Sequence, residues 1–305
     1  MKIILKKSIN NLKVTFSLII ISLFIISSIV GLFLKEEHTE LSKAKIPPSS
    51  TIIKNLLYLK GLNEYDDGIE YENITNDNHS YHILGTDRSG RDVFIILVSS
   101  SKYYLLSGII SAFLTLIMGC LMGAVRGYSE NTLIVKVSDY AYSVLESFPK
   151  VLLLFIVGYA FNYSMWGIII SISIISSMKT SNVIQGAIEH FKENQFIEAA
   201  KEIGASDFSI IFKHILWVNY KSNILIQFIY AFSGFIIYEC TLAFFNISCN
   251  TNIDTWGKMI YDGVGGRDGQ YLIHGILWPS IPPILAILSI IFSFNVIADK
   301  LGKTN

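Results

Sequence analysis

Charge is what this chain has least of. Asp, Glu, Lys and Arg together make 16% of its 305 residues, against about 25% in soluble domains, and the mean hydropathy is +0.49. Such a composition excludes a water-solvated domain over most of the length and points to a chain solvated mainly by lipid. The 24 basic and 24 acidic residues cancel, so no net charge directs the chain to nucleic acid or to an acidic partner, and only their distribution is informative. Cysteine is scarce too. Of Cys120, Cys240 and Cys249, the first two fall in apolar runs as small buried hydrophobes, which excludes a disulfide framework and a cysteine-based zinc pattern. A G-x-x-x-x-G-K-[ST] phosphate loop is also missing, so ATP is not bound here in the P-loop manner.

What the chain has is long uncharged runs. Val14 to Leu34 lies between Lys13 and Lys35 without a charge, enough to cross a hydrocarbon core that needs roughly 20 residues. It exceeds the roughly 7–15 residues of a signal-peptide core and ends in no small-x-small site, so it reads as a membrane span. Lys2, Lys6, Lys7 and Lys13 put its start on the cytoplasmic side. From Lys35 to about Asp92 the chain turns polar and acidic, with Pro47-Pro48, the run Glu64 to Gly68, and Asn73, Asn76 and Asn78, which reads as a long external loop. His79 and His82 within it lack further ligands and read as solvated loop residues, with no metal site.

A second span runs from Tyr103 to Val125 and carries Gly119 and Gly123, a spacing that lets helices approach closely. The uncharged run between Lys150 and Lys179 is too short for two crossings and longer than one. Asn162-Tyr163-Ser164 then marks a tight external turn, the third span begins near Tyr140, and the fourth extends past Lys179. Glu146, Pro149 and Lys150 enter the membrane zone under this division. Glu146 and Lys150 are four apart and can pair across a Pro149 kink; alternatively both lie near the cytoplasmic interface and snorkel. The fifth span, about Ser222 to Phe245, contains Glu239, and the sixth, about Leu277 to Ala298, contains Pro279, Pro282 and Pro283. Ionisable groups at such depth should face protein or a water-filled path.

The expected fold is therefore an all-α integral membrane protein with six transmembrane helices and both termini cytoplasmic. Residues 1–92 form an amino-terminal span plus external loop, 93–300 the transmembrane domain, and 301–305 a cytoplasmic tail. Arg126, Lys136, Lys192, Lys201, Lys213, Lys221, Lys300 and Lys303 all fall on inside segments, in line with the positive-inside rule.

Between the fourth and fifth spans lies a polar insert. From about Glu189 to Ile203 it is helical in character, with Phe196, Ala199, Ala200 and Ile203 recurring at three- and four-residue intervals beside Glu198. Gly204 fits a helix stop and Ser206 or Asp207 a cap for a second helix over about Phe208 to Leu216. The insert reads as a cytoplasmic helix-turn-helix hairpin.

Its run Glu198-Ala199-Ala200-Lys201-Glu202-Ile203-Gly204 resembles the cytoplasmic EAA loop of ABC importer permeases. Gly85-Thr86-Asp87-Arg88-Ser89-Gly90-Arg91-Asp92-Val93 resembles the G-T-D-x-x-G-R-D-V segment ahead of the second span in permeases of the dipeptide/oligopeptide/nickel family, which have the type I importer fold. There Gly85 and Gly90 allow turns, Thr86 or Asp87 can cap the entering helix, and Arg91 and Asp92 supply charges that can pair. Phe148-Pro149 with Leu152 to Leu154, Glu239 with Leu242-Ala243-Phe244, Trp256-Gly257 and Phe294 to Asp299 extend the likeness over residues 82 to 300. Trp217 stands where the family usually has Pro, and Phe245-Asn246 where it has Leu-Gly.

The resemblance implies a non-catalytic permease subunit of the bacterial cytoplasmic membrane that forms half of a translocation pathway. Its implied partners are a homologous second permease subunit, two ATP-binding subunits that use ATP and Mg, and an extracytoplasmic solute-binding protein, with no cofactor on this chain and no nucleic acid. ATPase coupling falls to Phe196, Glu198, Ala199, Ala200, Ile203 and Gly204. Di- or oligopeptides are the first solute class, and nickel or a metal chelate the second. From other classes come a self-contained channel or secondary transporter using Glu146, Lys150 and Glu239, and a membrane scaffold that only binds partners.

Overall fold

The structure, a computed structural model, describes residues 2–34, 82–129, 132–247, 254–264 and 277–303. Most of the acidic external loop, with His79 and the Asn-rich run, and Cys249 lie outside the described residues. Apart from one antiparallel bridge between Thr86 and Asp92, the regular structure among the described residues is helical: α1 Lys2–Phe33, α2 Val93–Tyr128, α3 Thr132–Ser147, α4 Lys150–Ala160, α5 Met165–Lys192, α6 Gln195–Glu202, a π-helix Ser209–Asn219, α7 Lys221–Phe244, α8 Trp256–Val264 and α9 Ile281–Gly302.

Among the described residues five helices are long and apolar enough to cross a bilayer: Leu12–Phe33 within α1, then α2, α5, α7 and α9. The sixth crossing is broken. Val135–Ser147 and Lys150–Ala160 meet at 103°, so Pro149 does more than kink a continuous third span. Pro149 has no N–H to donate and biases Phe148 out of the helical region, and α4 starts afresh with Leu152 and Leu153 N–H groups donating to the Pro149 carbonyl at 2.9 and 3.2 Å. Phe161–Ser164 then forms the expected tight turn, with Ser164 capping α5 through Gly167 N–H at 3.1 Å.

The chain divides into two compact units. One comprises Met1–Ser17, Ser107–Tyr238 and Ser293–Asn305, the other Leu18–Leu106 and Glu239–Phe292. In the first, α2 lies directly on α5. A Cβ at Gly123 would stand 2.7 Å from Ile184 Cβ, and one at Gly119 2.6 Å from a Thr180 methyl, so the two glycines are the condition for this backbone approach. Ser111 and Ser173 hydroxyls join the same helices at 3.0 Å. Below them Ala124, Ile184, Ile188, Ile197, Ile210 and Ile215 form an apolar cluster.

In the second unit Ser27 and Ser101 hydroxyls meet at 3.0 Å, and Ser28 donates to the Ser101 carbonyl at 3.1 Å, which ties α1 to α2. Helix α2 begins ten residues before Tyr103, directly after Asp92.

Candidate functional site

The hairpin between α5 and α7 is built as the periodicity suggested, with its faces assigned differently. In α6 the single buried side chain is Ile197, fully enclosed in the apolar cluster, and Ala200 packs against the same cluster. Phe196, Glu198, Ala199 and Ile203 point outward, with Ile203 87% exposed. An eight-residue helix shows one inward and one outward stripe, and the outward one holds most of the residues expected to act together.

Gly204 ends α6 at φ +87°, in the left-handed region that glycine adopts without strain. Its N–H donates to the Lys201 carbonyl at 2.9 Å and the next, Ala205 N–H, to the Ala200 carbonyl at 3.0 Å, the paired bonds of a Schellman stop. Ser206 Oγ then accepts from Ser209 N–H at 3.3 Å, and the second helix follows as a π-helix, with Ile210, Ile211, Ile215 and Leu216 buried. The Phe208 ring lies 4.5 Å from that of Phe212 and is 69% exposed, a further outward apolar side chain after the turn. Trp217, in the place of the family's proline, is 73% exposed.

Tyr128, at the end of α2, grips the hairpin on both sides of its turn. Its hydroxyl donates to Asp207 Oδ1 at 2.8 Å, and the Lys201 ammonium lies 5.3 Å from its ring centroid. Two residues earlier Arg126 holds the broken span: Nε donates to Asp139 Oδ1 at 2.6 Å and Nη1 to Asn182 Oδ1 at 2.9 Å, while the guanidinium lies over Tyr142 at 4.2 Å. Tyr142 in turn donates to the Met178 carbonyl at 2.6 Å. Sequence reasoning singled out none of Tyr128, Asp139, Tyr142 or Ile197; the signal available was a Tyr and an Arg at the end of a span beside a polar insert. Beside the hairpin's base lies an open cavity of about 680 Å³ lined by Asn182, Gly186, His190, Asn219, Tyr220 and Asn223.

The Gly85–Asp92 segment is a compact ion-paired loop. Gly85 and Gly90 both have φ +78°. The Asp87 carboxylate accepts from Ser89 N–H at 2.8 Å, from Arg91 N–H at 2.9 Å and from the Arg91 guanidinium at 2.7 and 2.9 Å. Helix α2 is therefore not capped by Thr86 or Asp87: Asp92 Oδ1 accepts from Phe94 and Ile95 N–H at 2.7 and 3.1 Å, because it alone immediately precedes the first turn. Thr86 is buried, and its carbonyl accepts from Trp278 Nε1 at 3.0 Å. His82 Nδ1 pairs with Asp92 Oδ2 at 2.8 Å, so this histidine is packed into the loop and is not a solvated residue.

Arg91 also reaches Asp254 Oδ2 at 2.6 Å, and Lys258 meets Asp254 Oδ1 at 3.3 Å, so the loop is tied to the start of α8. Burial opposes the Arg91 charge, but Asp87 and Asp254 more than offset it, and its pKa is raised. For neighbouring Asp262 burial acts the other way and raises the pKa, against the opposing pull of Lys258 and Arg91.

Glu239 is buried within this chain. The Tyr104 hydroxyl donates to its carboxylate and accepts from Gly257 N–H at 3.3 Å, while the Tyr104 ring stacks on Trp256 at 4.5 Å. Glu239 thus satisfies the requirement that an intramembrane carboxylate face protein. Glu146 and Lys150 behave otherwise. Of the two alternatives, pairing across a kinked helix is not seen among the described residues, because the 103° break removes the four-residue register. Glu146 is exposed and Lys150 half-buried. No group of His, Cys, Asp and Glu among the described residues could hold a metal ion.

Five apolar helices of membrane-spanning length and one bent helix pair, with a polar hairpin that carries an outward apolar stripe, define a multi-pass membrane protein. Residues 115–304, more than half of the chain, match the family of binding-protein-dependent transport system inner membrane components, and the chain belongs to that family. It is 28% identical over 235 residues to the glutathione transport system permease protein GsiD of Pectobacterium atrosepticum, covering 76% of this chain and 74% of the relative. It is 27% identical over 221 residues to the oligopeptide transport system permease protein OppC of Haemophilus influenzae (72% and 68% covered). It is also 27% identical over 220 residues to the dipeptide transport system permease protein DppC of Alkalihalophilus pseudofirmus (72% and 70% covered). The chain is thus a membrane subunit of a transport system that works with a solute-binding protein.

Proposed function

We propose that this chain forms half of the translocation pathway of an ATP-driven importer for peptides in the bacterial inner membrane. Both termini are cytoplasmic in this scheme, and the chain pairs with a homologous permease, two ATPase subunits that bind ATP and Mg, and an external solute-binding protein. The chain itself binds no cofactor and carries out no catalysis. Residues 93–300 act as the transmembrane domain, preceded by the amino-terminal span with its external loop over residues 1–92 and followed by a short tail over 301–305. The observation that carries the proposal is the hairpin: Ile197 and Ala200 hold α6 to the bundle while Phe196, Ile203 and Phe208 keep apolar surface exposed among the described residues. A surface anchored below and uncovered above is what an ATPase subunit needs in order to push on the bundle.

Peptides are preferred over nickel or a metal chelate because the relatives named above are peptide and glutathione permeases. The Tyr128 and Arg126 contacts give a route for motion, since Tyr128 grips the hairpin and Arg126, one half-turn away on α2, grips the broken span. Gly204→Pro tests the assignment. Proline fixes φ near −65° where the turn requires +87°, so the variant should reach the membrane and assemble, yet hydrolyse ATP without importing solute. Uptake at the wild-type rate would remove the hairpin from the coupling role.

A further inference from the structure

The elbow between α3 and α4 sets an acid and a base on either side of a backbone break, on a surface that the described residues leave uncovered. Glu146, Ser147, Phe148 and Pro149 are all exposed, and Lys150 opens α4 half-buried. Among the described residues Glu146 has no ion-pair partner. Helix α4 has 11 residues, about 16 Å at roughly 1.5 Å per residue and half of a hydrocarbon core of about 30 Å. With the Phe161–Ser164 turn at the outer boundary, as in the topology proposed above, the elbow lies near the middle of the bilayer.

Two separate physical requirements then fall on one surface. Non-helical backbone at membrane depth is tolerated only where protein covers it or water lines it. An exposed carboxylate at a helix centre is costly in hydrocarbon and belongs beside water or a partner charge. Lipid meets neither requirement, whereas an aqueous path between two permease subunits meets both. The charges flanking the break also have a pattern, one carboxylate before it and one ammonium after it, complementary to a solute that carries one ammonium and one carboxylate.

We infer that this elbow is a solute subsite of the translocation pathway, in which Glu146 accepts hydrogen bonds from a solute ammonium and Lys150 donates to a solute carboxylate. It rests on the importer function proposed above and names the chemistry of the solute: a zwitterion such as a peptide with both termini free.

The test uses the complete transporter in proteoliposomes with saturating binding protein. Its probes are trialanine, N-acetyl-trialanine and trialanine amide. Glu146→Gln should slow the maximal uptake of trialanine about tenfold, the loss of one charge-assisted hydrogen bond, and leave the N-acetyl peptide unchanged. Lys150→Met should do the same for the free carboxylate and spare the amide. In a chain with Cys120, Cys240 and Cys249 changed to serine, Glu146→Cys should react with a charged, water-soluble thiosulfonate, and trialanine should slow that reaction. Equal losses for free and blocked peptides would make the elbow structural and overturn the inference. So would an unreactive Glu146→Cys, which would place lipid or the second permease over the elbow, or a reaction that trialanine does not slow. If wild-type transporter carries trialanine and these variants ignore its termini, only the subsite falls; if it carries no peptide at all, the importer assignment falls and takes the subsite with it.

Discussion

Ile197→Ala isolates the seat of the hairpin from its docking face. Ile197 is fully buried and is the single buried side chain of the eight-residue α6. Removing three carbons forfeits about 2.4 kcal/mol at roughly 0.8 kcal/mol per buried methylene, and the cavity left behind can bring the total into the range of about 2–5 kcal/mol. Nothing else on α6 except Ala200 reaches the cluster, so the loss should appear as local opening of the hairpin while the bundle stays folded. At about 1.4 kcal/mol per tenfold, the amides of residues 195–203 should exchange with deuterium about 50-fold faster, and ATP hydrolysed per solute imported should rise. Phe196→Ala, on the outward face, should instead keep normal exchange and weaken binding of the ATPase. Unchanged exchange and unchanged stoichiometry in Ile197→Ala would refute the idea that this side chain transmits force to the bundle.

Arg91→Met leaves Asp87 and Asp254 facing each other without their shared cation and should lower stability by about 3 kcal/mol, read as a fall in Tm in detergent; an unchanged Tm would mean the pairs contribute nothing. Tyr104→Phe removes one of the hydrogen bonds to Glu239, which Thr255 and Cys240 also contact, and should cost about 1 kcal/mol, whereas Glu239→Gln, which keeps an acceptor, should preserve both folding and uptake. Because burial raises the Asp262 pKa above the ordinary aspartate value of 3.8, the unfolded chain gives up this proton first, and the group's contribution to stability falls as pH rises from about that value through the raised one. Asp262→Asn should therefore be more stable than wild type at neutral pH and equal to it below the unfolded pKa; the reverse order would show that Lys258 and Arg91 outweigh burial.

The spans were legible because lipid imposes a long apolar run wherever the chain crosses, and Val14 to Leu34 or Ser222 to Phe245 differ from the structure by only a residue or two at most ends. The start of α2 was harder. The uncharged run begins only at Tyr103, after Lys102, but Asp92 caps a helix that carries this lysine in its interior. The hairpin's existence and its Gly204 stop followed from local chemistry. Its faces did not, because eight residues give two turns and leave Ile197 and Phe196 equally eligible for burial. Pro149 announced a disturbance without its size: a kink and a 103° break have the same sequence signature. Partners distant in sequence were beyond reach, as Glu239 meets Tyr104 across 135 residues and Arg91 meets Asp254 across 163. The π-helix that follows Ser206 carries no compositional mark, and Trp217 shows only that a proline is not required at that position for the hairpin to close.

Reconstitution decides most directly whether this chain is a coupled importer subunit. Radiolabelled trialanine uptake would be followed in proteoliposomes containing this chain alone, and then with the second permease, both ATPase subunits and the binding protein. Uptake that requires every component and ATP, and that Gly204→Pro abolishes while hydrolysis continues, is the expected result. Uptake by this chain alone under an ion gradient would contradict it and return Glu146 and Lys150 to a self-contained transporter.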